Sequence, residues 1–326
     1  MWIQCTLRRE TMRLVTFALE REAPRRAWRT GLLVADGASV VDLHAAGESL
    51  GFGPAGEPPR ETLDWFDLDG PWCAFARELD RRVARDGREL ARPGPLGVRP
   101  LSSVHLRAPV PRPGKLVAVG LNYRDHAAEA RLPAPLAPVV FAKFPTAVIG
   151  PDEPIVLPAA SRRIDYEAEL AVVVGRRVKA IGPADALAAV LGFTNANDVS
   201  DRDFQKADGQ WVRAKSCDTF APLGPAIVTL DELPDPGALR IELRLNGATM
   251  QASSTGQCVF DVPALVSFVS ETITLEPGDV ILTGTPAGVG FARRPPVFLR
   301  PGDVVEVEIE GLGTLRNPVV GAEGSS

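Results

Sequence analysis

The sequence has few of the residues that mark several protein classes. Its 326 residues include four cysteines, which are isolated from one another and form no C-x-x-C pair. Such spacing argues against both a disulfide scaffold and a cysteine-bound structural zinc ion. No stretch approaches the about 18 apolar residues that a membrane-spanning helix needs, so no membrane association is predicted.

Positive charge is not in excess either. The chain has 36 lysines and arginines against 41 aspartates and glutamates, for a formal net charge of −5. With no surplus of basic residues to neutralise phosphates, a nucleic-acid partner is not expected. The first residues contain no apolar core of a secretory signal, and we therefore predict a cytoplasmic protein.

Length and composition predict an ordinary folded protein of two domains. Apolar residues make up 45% and charged residues 24% of the chain, as in typical globular proteins. We predict a disordered extension at residues 1–11, a small α+β domain at residues 12–108 and a catalytic domain at residues 109–322. The proline-rich stretch at 108–114 would connect the two domains.

The two predicted domains differ in their local patterns. In the first, the Asp-Gly pair at 36–37 predicts a hairpin between strands 31–35 and 39–43, and apolar spacing predicts a helix at 72–91. In the second, strand signals recur without regular alternation with helices, which argues against a doubly wound sheet or an α/β barrel. A mixed α/β, β-rich roll fits this pattern better. Its strands are predicted at 116–120, 139–143, 170–174, 227–229, 239–245, 280–283 and 304–309, and its helices at 183–191 and 262–271.

Two glutamates at the start of a predicted strand are the strongest sign of a functional site. Because side chains alternate along a strand, Glu167 and Glu169 point to the same face. Two like charges on one face of a buried strand would each cost several kcal/mol unless paired, and a divalent cation would pair both. Asp198, at the end of another predicted strand, could add a third oxygen ligand, giving a set suited to Mg²⁺ or Mn²⁺. The alternative is a solvated pair on an edge strand.

A histidine and a glutamate follow the predicted strand at 116–120. His126 and Glu129 are three positions apart, which places them on one face of a short helix. A carboxylate beside an imidazole can fix its tautomer and raise its basicity, so the pair could act as a general base. A solvent-exposed helix with an incidental His–Glu pair is the alternative.

A second periodic set begins at Asp198. Asp198, Arg202 and Gln205 follow the spacing of one helical stripe, which predicts that all three face one pocket. A guanidinium there would suit a substrate carboxylate, although Arg202 could instead pair with an aspartate on a surface helix. Lys215 lies between small residues and close to aromatic ones. It could be buried and directed at an oxyanion, but most lysines are exposed.

A glycine-rich turn follows the predicted strand at 280–283. Its backbone N–H groups, near Gly284, and the hydroxyl of Thr285 could bind an anion. The turn lacks the Gly-Lys-Ser/Thr of a P-loop, so nucleotide binding is not indicated. A tight structural turn is the alternative interpretation.

Taken together, these segments resemble the fumarylacetoacetate hydrolase (FAH) family. The chain looks most like the branch that contains mammalian FAH-domain-containing proteins and many bacterial homologues. The motifs that carry the resemblance span roughly residues 115–320 and are, in order, G-L-N-Y-R-D-H-A-A-E, D-Y-E-A-E-L-A-V-V-V-G, N-D-V-S-D-R-D-F-Q, A-K-S-C-D-T-F and L-T-G-T-P-A-G-V-G.

The resemblance implies a fold, a cofactor and a set of site residues. It implies an FAH-type β-roll catalytic domain, in a homodimer, with a small N-terminal α+β domain. The implied ligands of Mg²⁺ or Mn²⁺ are Glu167, Glu169 and Asp198. The implied catalytic residues are His126 and Glu129, a dyad on a lid, and the charged Lys215. The positions implied near the substrate are Arg202, Gln205, Gly284 and Thr285.

The same resemblance implies chemistry on a small 2-oxo acid. The leading hypothesis is a hydrolase that cleaves a carbon–carbon bond in 2,4-dioxo acids, such as acylpyruvate or fumarylpyruvate, through a metal-bound enolate. The alternative is an isomerase, oxaloacetate tautomerase or decarboxylase that uses the same enolate. A hypothesis of another class is a non-catalytic binding protein in which the metal is structural.

Overall fold

The computed structural model describes most of the chain. The described residues are 12–34, 37–49, 54, 58–59, 62–90, 97–233 and 235–322. The predicted extension at residues 1–11 lies outside these ranges, as do residues 35–36 of the predicted hairpin. Among the described residues, no helix combines the length and the apolar character needed to span a membrane.

Strands dominate the described residues. In chain order they are Arg13–Ala18 (β1), Arg29–Leu33 (β2), Ser39–Asp42 (β3), Val98–Pro100 (β4), His105–Arg107 (β5), Leu116–Gly120 (β6), Val139–Lys143 (β7), Val148–Ile149 (β8), Ile155–Leu157 (β9), Ile164–Asp165 (β10), Ala168–Val174 (β11), Val190–Asn197 (β12), Ser200–Asp201 (β13), Ala221–Thr229 (β14), Arg240–Leu245 (β15), Ala248–Ser254 (β16), Val280–Leu282 (β17), Val304–Ile309 (β18) and Gly313–Gly321 (β19).

Helices are fewer and mostly short. The α-helices are Leu43–Ser49 (α1), Pro71–Leu90 (α2), Arg124–Glu129 (α3), Arg202–Asp208 (α4), Val212–Lys215 (α5) and Val262–Thr272 (α6). Turns of 3-10 helix lie at Arg25–Ala27, Thr62–Trp65, Leu101–Ser103, Pro145–Ala147, Pro183–Ala189, Thr255–Gln257 and Gly290–Ala292.

Most of the strands join one large curled sheet. Its strand order is β4-β3-β2-β1-β14-β12-β11-β17-β6-β7, with β5 also paired to β1 and β8 to β14. β8 follows β7 closely in sequence, yet it pairs with β14 in the middle of this order. The sheet therefore curls back on itself, which produces a β-rich roll and not a flat layer.

The central strands of the sheet are buried along their whole length. Every residue of β11 and of β12 is buried. Both strands are rich in small and β-branched apolar residues, which pack well in a sheet that is covered on both faces. A charged side chain at the end of such a strand is consequently withdrawn from water.

The amino-terminal strands belong to the same sheet as strands beyond residue 109. β1 pairs with β14 in antiparallel register, with Leu14 opposite Ile227. The predicted hairpin is confirmed as the antiparallel pair β2 and β3, with Leu32 opposite Val41. Backbone hydrogen bonds thus cross the predicted boundary at residue 108, and the division into two domains stays a prediction.

A second sheet packs against the large one. Its strand order is β16-β15-β18-β19-β9. Leu243 and Val307 on this sheet share one hydrophobic cluster with Val172 and Phe193 at the centre of the large sheet. Removing these apolar side chains from water is the main driving force that holds the two sheets together.

The predicted mixed α/β, β-rich class is confirmed, and so are the main elements of the second half of the chain. The predicted strands at 116–120, 139–143 and 304–309 have the same bounds in the structure. The prediction of an α-helix at 183–191 is wrong in type: Pro183–Ala189 is a 3-10 helix. Residues 190–191 belong instead to β12, where pairing with β11 takes them into the sheet.

Gly192 tests how closely the central strands must approach one another. A Cβ atom at this position would overlap the carbonyl oxygen of Val228 and lie 2.8 Å from the Cα atom of Thr229. Because backbone atoms cannot move aside as a flexible side chain can, we expect Gly192→Ala to lower the free energy of unfolding by about 3 kcal/mol in urea denaturation. The matched control is Gly182→Ala, where an added Cβ meets no atom within 4 Å. Equal stability of the two variants would contradict this expectation.

Candidate active site

Several strand ends of the large sheet meet at one edge. β11 runs antiparallel to both β12 and β17, so the start of β11 lies beside the ends of those two strands. β6 runs parallel to β17, which brings the end of β6 to the same edge. Segments that are far apart in sequence are therefore close together here.

Three buried carboxylates lie at this edge. Glu167 and Glu169 flank the first residue of β11, and Asp198 directly follows β12. The N–H of Asp198 donates to the carbonyl of Glu167 over 2.8 Å, which holds the two segments in register. One oxygen atom from each of the three side chains lies within 4.8 Å of the others. Since β11 is an internal strand, the alternative of a solvated pair on an edge strand is wrong.

Three cationic side chains contact these carboxylates. The ammonium group of Lys215 lies 2.8 Å from Glu167 Oε2 and 2.6 Å from Asp198 Oδ2. Lys143, at the end of β7, donates to Asp198 Oδ1 over 2.5 Å. The guanidinium of Arg202 lies 2.5 Å from Glu167 Oε1. Glu167 and Asp198 consequently have two cationic partners each.

Glu169 has no cationic hydrogen-bond partner among the described residues. Its Oε2 atom accepts a hydrogen bond from the backbone N–H of Gly284 over 2.6 Å. Burial, and then the negative charges of Asp198 and Glu167, raise the pKa of Glu169 well above its ordinary value. Burial acts in the same direction on Glu167, but Lys215 and a neighbouring guanidinium outweigh it and lower that pKa to about 2.

This charge imbalance fits a divalent cation. Glu167, Glu169 and Asp198 are the residues that would hold it, and carboxylate oxygens are the hard ligands that Mg²⁺ and Mn²⁺ prefer. Each carboxylate oxygen has two lone pairs, so contacts with the lysines do not prevent coordination. A double positive charge beside Glu169 would favour the ionised form that burial disfavours.

The predicted short helix with His126 and Glu129 is present. Both residues lie on α3, and His126 Nδ1 is 3.4 Å from Glu129 Oε2. Both carboxylate oxygens of Glu129 also accept from the N–H of Gly288, each over 3.1 Å. Glu129 therefore links the histidine to the glycine-rich turn, and it can hold a proton on Nδ1 while Nε2 takes part in proton transfer.

The glycine-rich turn after β17 is fixed against the start of β11. Gly288 has a φ of +103°, which favours glycine, and an added Cβ would overlap the carbonyl oxygen of Met250. The side-chain amide of Gln251 donates to Thr285 Oγ1 over 2.9 Å and accepts from the N–H of Ala168 over 2.9 Å. One buried amide thus ties the turn to the strand that carries the glutamates.

A cavity of about 180 Å³ collects the predicted side chains, a volume that suits a small organic acid. The predicted site residues that line it are His126, Glu167, Glu169, Asp198, Arg202, Gln205, Lys215 and Thr285. The other two predicted residues, Glu129 and Gly284, contact residues of this group. Glu129 contacts His126, and the N–H of Gly284 donates to Glu169. The structure brings all ten residues together, while their roles stay predictions.

The predicted helical stripe that begins at Asp198 is wrong. α4 begins at Arg202, and Asp201 caps it by accepting from the N–H groups of Asp203 and Phe204. Asp198 lies before this cap, between β12 and β13. An aspartate at an N-cap has non-helical backbone angles, so the helix cannot extend back to Asp198. Asp198 reaches the cavity from a strand end and Arg202 from a helix.

Sequence reasoning misses two residues of the site, Asp165 and Lys143. Asp165 is buried, and its Oδ2 atom accepts from Arg202 Nε over 2.9 Å and from the N–H of Phe291 over 3.0 Å. It thereby fixes the guanidinium, which lies 4.5 Å from the centroid of the Phe291 ring. Alternation along a strand could have indicated both residues. Asp165 is an even number of positions from Glu167 and Glu169, and Lys143 is two positions from Phe141, which lines the cavity.

Comparison with known proteins identifies the family. The fumarylacetoacetate (FAA) hydrolase C-terminal family matches residues 115–320. The chain belongs to the fumarylacetoacetate hydrolase family. Among curated proteins of this family, it is 45% identical over 312 residues to "Oxaloacetate tautomerase FAHD2A, mitochondrial" of Bos taurus, covering 95% of this chain and 92% of the relative.

Solved structures of FAH-family proteins have the same fold. A fumarylacetoacetate hydrolase from Exiguobacterium antarcticum matches with a TM-score of 0.74 and 33% identity, over 95% of this chain and 99% of that chain. A 5-carboxymethyl-2-hydroxymuconate delta-isomerase from Mycobacterium smegmatis matches with a TM-score of 0.69 and 38% identity, over 95% of this chain and 100% of that chain. The FAH-type fold expected from the motifs is confirmed, and the chain is an enzyme of this family.

Glu169 gives the most direct test of metal binding. Glu169→Gln preserves the size of the side chain and removes the charge that a cation would neutralise. Removal of a residue that only orients a metal ligand, without binding the metal itself, lowers metal affinity by about 10–100-fold. We therefore expect loss of the Glu169 carboxylate to lower Mn²⁺ affinity by more than about 100-fold, measured by isothermal titration calorimetry. Glu271→Gln, on the exposed side of α6, is the control and should bind as the wild type does. Unchanged Mn²⁺ binding in Glu169→Gln would refute the assignment.

Lys143 tests the electrostatics of the site without removal of a predicted ligand. Burial lowers the pKa of its ammonium group, and the charge of Asp198 opposes that shift. Lys143→Met leaves Asp198 with one cationic partner, so we expect the metal-free protein to lose about 3 kcal/mol of unfolding free energy in urea denaturation. Added Mn²⁺ should restore part of the loss, because a ligand that binds the folded state stabilises it. A metal-free variant as stable as the wild type would argue against this account.

Proposed function

We propose that the protein is a Mg²⁺- or Mn²⁺-dependent enzyme that interconverts the keto and enol forms of a small 2-oxo acid such as oxaloacetate. One arrangement carries the proposal: a possible cation site of three carboxylates and a His–Glu pair meet at the same small cavity. The name of the curated relative, an oxaloacetate tautomerase, supports this activity, and so does the delta-isomerase among the solved structures.

Substrate binding in this proposal depends on a preorganised guanidinium. A bound cation would supply a Lewis acid for the carboxylate and 2-oxo oxygens of the substrate. Arg202 would bind the substrate carboxylate, and it is held in place by Asp165 and by Gln205 Oε1, at 2.9 Å each. Thr285, which lines the cavity, would position the acid, while the N–H of Gly284 holds Glu169 in place. Because these groups are fixed before the substrate arrives, little reorganisation is needed during the reaction.

His126 would move the proton. In the keto-to-enol direction, its Nε2 atom would take a proton from C3 of the substrate, and the electrons of the C3–H bond would form the C2–C3 double bond. The protonated imidazole would then give that proton to the 2-oxo oxygen. In the reverse direction, the proton returns to C3. Glu129 keeps the opposite ring nitrogen protonated, which leaves Nε2 as the basic atom. Lys215 would stabilise the negative charge that develops on the 2-oxo oxygen.

Hydrolysis of 2,4-dioxo acids, such as acylpyruvate or fumarylpyruvate, is the second candidate. His126 with Glu129 could deprotonate water for attack on the 4-carbonyl, and cleavage of the C3–C4 bond would release pyruvate in its enol form together with the carboxylic acid formed from the 4-carbonyl carbon. The solved relative named as a fumarylacetoacetate hydrolase favours this activity. Decarboxylation would use the same stabilisation of negative charge. A non-catalytic protein with a structural metal would have no need of His126 and Lys215 in the cavity, or of Glu129 beside His126.

A substrate panel separates these candidates. With Mg²⁺ or Mn²⁺ present, the enol absorbance of oxaloacetate reports tautomerisation, pyruvate release from acylpyruvate or fumarylpyruvate reports hydrolysis, and CO₂ release reports decarboxylation. We expect tautomerisation of oxaloacetate to have the highest kcat/KM. A higher kcat/KM for hydrolysis would overturn the proposal. Metal binding without turnover of any compound would favour a binding protein.

Two further proposals concern the assembly and the location of the protein. The family resemblance implies a homodimer, which multi-angle light scattering of the purified protein would test. A cytoplasmic location stays a prediction from the sequence, whereas the Bos taurus relative is named as a mitochondrial protein. Imaging of the tagged chain in its own cells would test this location.

His126 tests the proposed proton transfer. Removal of a positioned general base typically lowers a rate by about 10²–10⁴-fold, so we expect His126→Ala to lower kcat for tautomerisation by that factor with Mn²⁺ affinity unchanged. His105→Ala is the control, because His105 lies on β5, away from the ends of β6, β12 and β17 where the cavity lies. If His126→Ala abolished hydrolysis of an acylpyruvate while tautomerisation survived, the histidine would activate water instead.

A further inference from the structure

We propose that Gln251 is a positioning residue, which orients the hydroxyl of Thr285 as a hydrogen-bond donor for a carboxylate oxygen of the substrate. The inference rests on the proposed function and deepens it, because it names the residue that prepares one wall of the cavity for an anion. Gln251 lies on β16 of the second sheet and is 1% exposed. It does not line the cavity itself, so it would act through Thr285, which does.

The amide of Gln251 has one orientation that satisfies its neighbours. Its Oε1 atom accepts a hydrogen bond from the backbone N–H of Ala168 over 2.9 Å. Its Nε2 atom donates to the backbone carbonyl of Pro286 over 2.8 Å. A backbone N–H can only donate and a backbone carbonyl can only accept, so exchange of the two amide atoms would break both hydrogen bonds. The NH₂ group therefore faces the glycine-rich turn.

This orientation decides the role of the Thr285 hydroxyl. Gln251 Nε2 also donates to Thr285 Oγ1 over 2.9 Å, so both N–H groups of the amide are used. An amide nitrogen does not accept hydrogen bonds, and the threonine oxygen is therefore the acceptor in this contact. The hydroxyl keeps its own hydrogen, and no residue in the described part of the chain accepts a hydrogen bond from it.

Further contacts hold the amide and the turn against each other. An added Cβ at Gly288 would overlap the carbonyl oxygen of Met250, the residue before Gln251. The guanidinium of Arg293 donates to that carbonyl and to the carbonyl of Gly288. β16 cannot move away from the turn without loss of these hydrogen bonds. The Thr285 hydroxyl is consequently oriented before a ligand arrives, which reduces the reorganisation that binding requires.

The free hydrogen of this hydroxyl favours an anionic partner. Thr285 is 4% exposed and lines the cavity, so water has little access to it. A buried donor without an acceptor is destabilising, and a charged acceptor gives a stronger hydrogen bond than a neutral one. Because the threonine oxygen already accepts from Gln251, the hydroxyl is polarised and becomes a better donor. A carboxylate oxygen, which only accepts, fits this group, whereas a ligand atom that must donate does not.

A double-mutant cycle tests whether Gln251 acts through the hydroxyl. The readout is the Kd of oxalate, a dianion whose oxygens only accept, measured by calorimetry at saturating Mn²⁺ so that metal affinity does not enter. Thr285→Val keeps the shape of the side chain and removes the hydroxyl. We expect it to raise this Kd about tenfold, as for loss of a hydrogen bond to a charged group. Gln251→Met should raise the Kd about fivefold in the wild type but less than about twofold in Thr285→Val, because the group that Gln251 orients is then absent.

The outcomes of the cycle decide between positioning and a merely structural role. Effects that multiply in the double variant, or an unchanged Kd in either single variant, would overturn the proposal, as would a wild type that does not bind oxalate. Thr285→Ser restores a hydroxyl, so the effect of Gln251→Met should return in that background. Where Gln251→Met fails to fold, Gln251→Glu takes its place, because it keeps the acceptor for Ala168 and loses the NH₂ group.

The control and the activity assay complete the test. Gln257→Met, the same change at an exposed glutamine, should leave the Kd of oxalate unchanged. If the wild type shows the coupling in oxalate binding but does not tautomerise oxaloacetate, the positioning role stands and the tautomerase proposal fails. If the wild type tautomerises oxaloacetate and the coupling is absent, the tautomerase proposal stands and the positioning role fails.

Discussion

The site depends on a group of charges that the fold withdraws from water. Its members are four buried carboxylates (Asp165, Glu167, Glu169 and Asp198), the buried ammonium groups of Lys143 and Lys215, and the largely buried guanidinium of Arg202. The negative charge in excess falls on Glu169, because its hydrogen-bond partner is a backbone N–H. An uncompensated buried charge costs several kcal/mol, and a divalent cation beside Glu169 would offset that cost.

The curl of the large sheet makes this group possible. Lys143 lies on β7, at one end of the strand order, and Asp198 follows β12 near the middle of it. A flat sheet would keep these strands apart, whereas the roll brings the ammonium within hydrogen-bond distance of the carboxylate. The three carboxylates therefore lie at the ends of buried strands of the large sheet, whose centre shares one hydrophobic cluster with the second sheet. Rigid support of this kind keeps ligands in the geometry that a cation requires.

The part of the site that would choose the reaction lies around α3. α3 carries His126 and Glu129, and the contact between Glu129 and Gly288 links it to the glycine-rich turn. Members of one family can share a cation site that stabilises negative charge on a 2-oxo acid and still differ in what they do with it. The groups around α3 are where we expect such differences to arise, because the His126–Glu129 pair proposed to move the proton lies there.

The sequence by itself determined features that repeat within one element. Alternation along a strand places Glu167 and Glu169 on one face, and helical spacing places His126 beside Glu129; the structure has both arrangements. Only the tertiary structure decided that Asp198 lies outside the helix of Arg202 and that Lys143 and Asp165 belong to the site. The physical reason is that periodicity reflects the backbone geometry of a single segment. Contacts between distant segments depend on strand register and on the curl of the sheet, which no local pattern encodes.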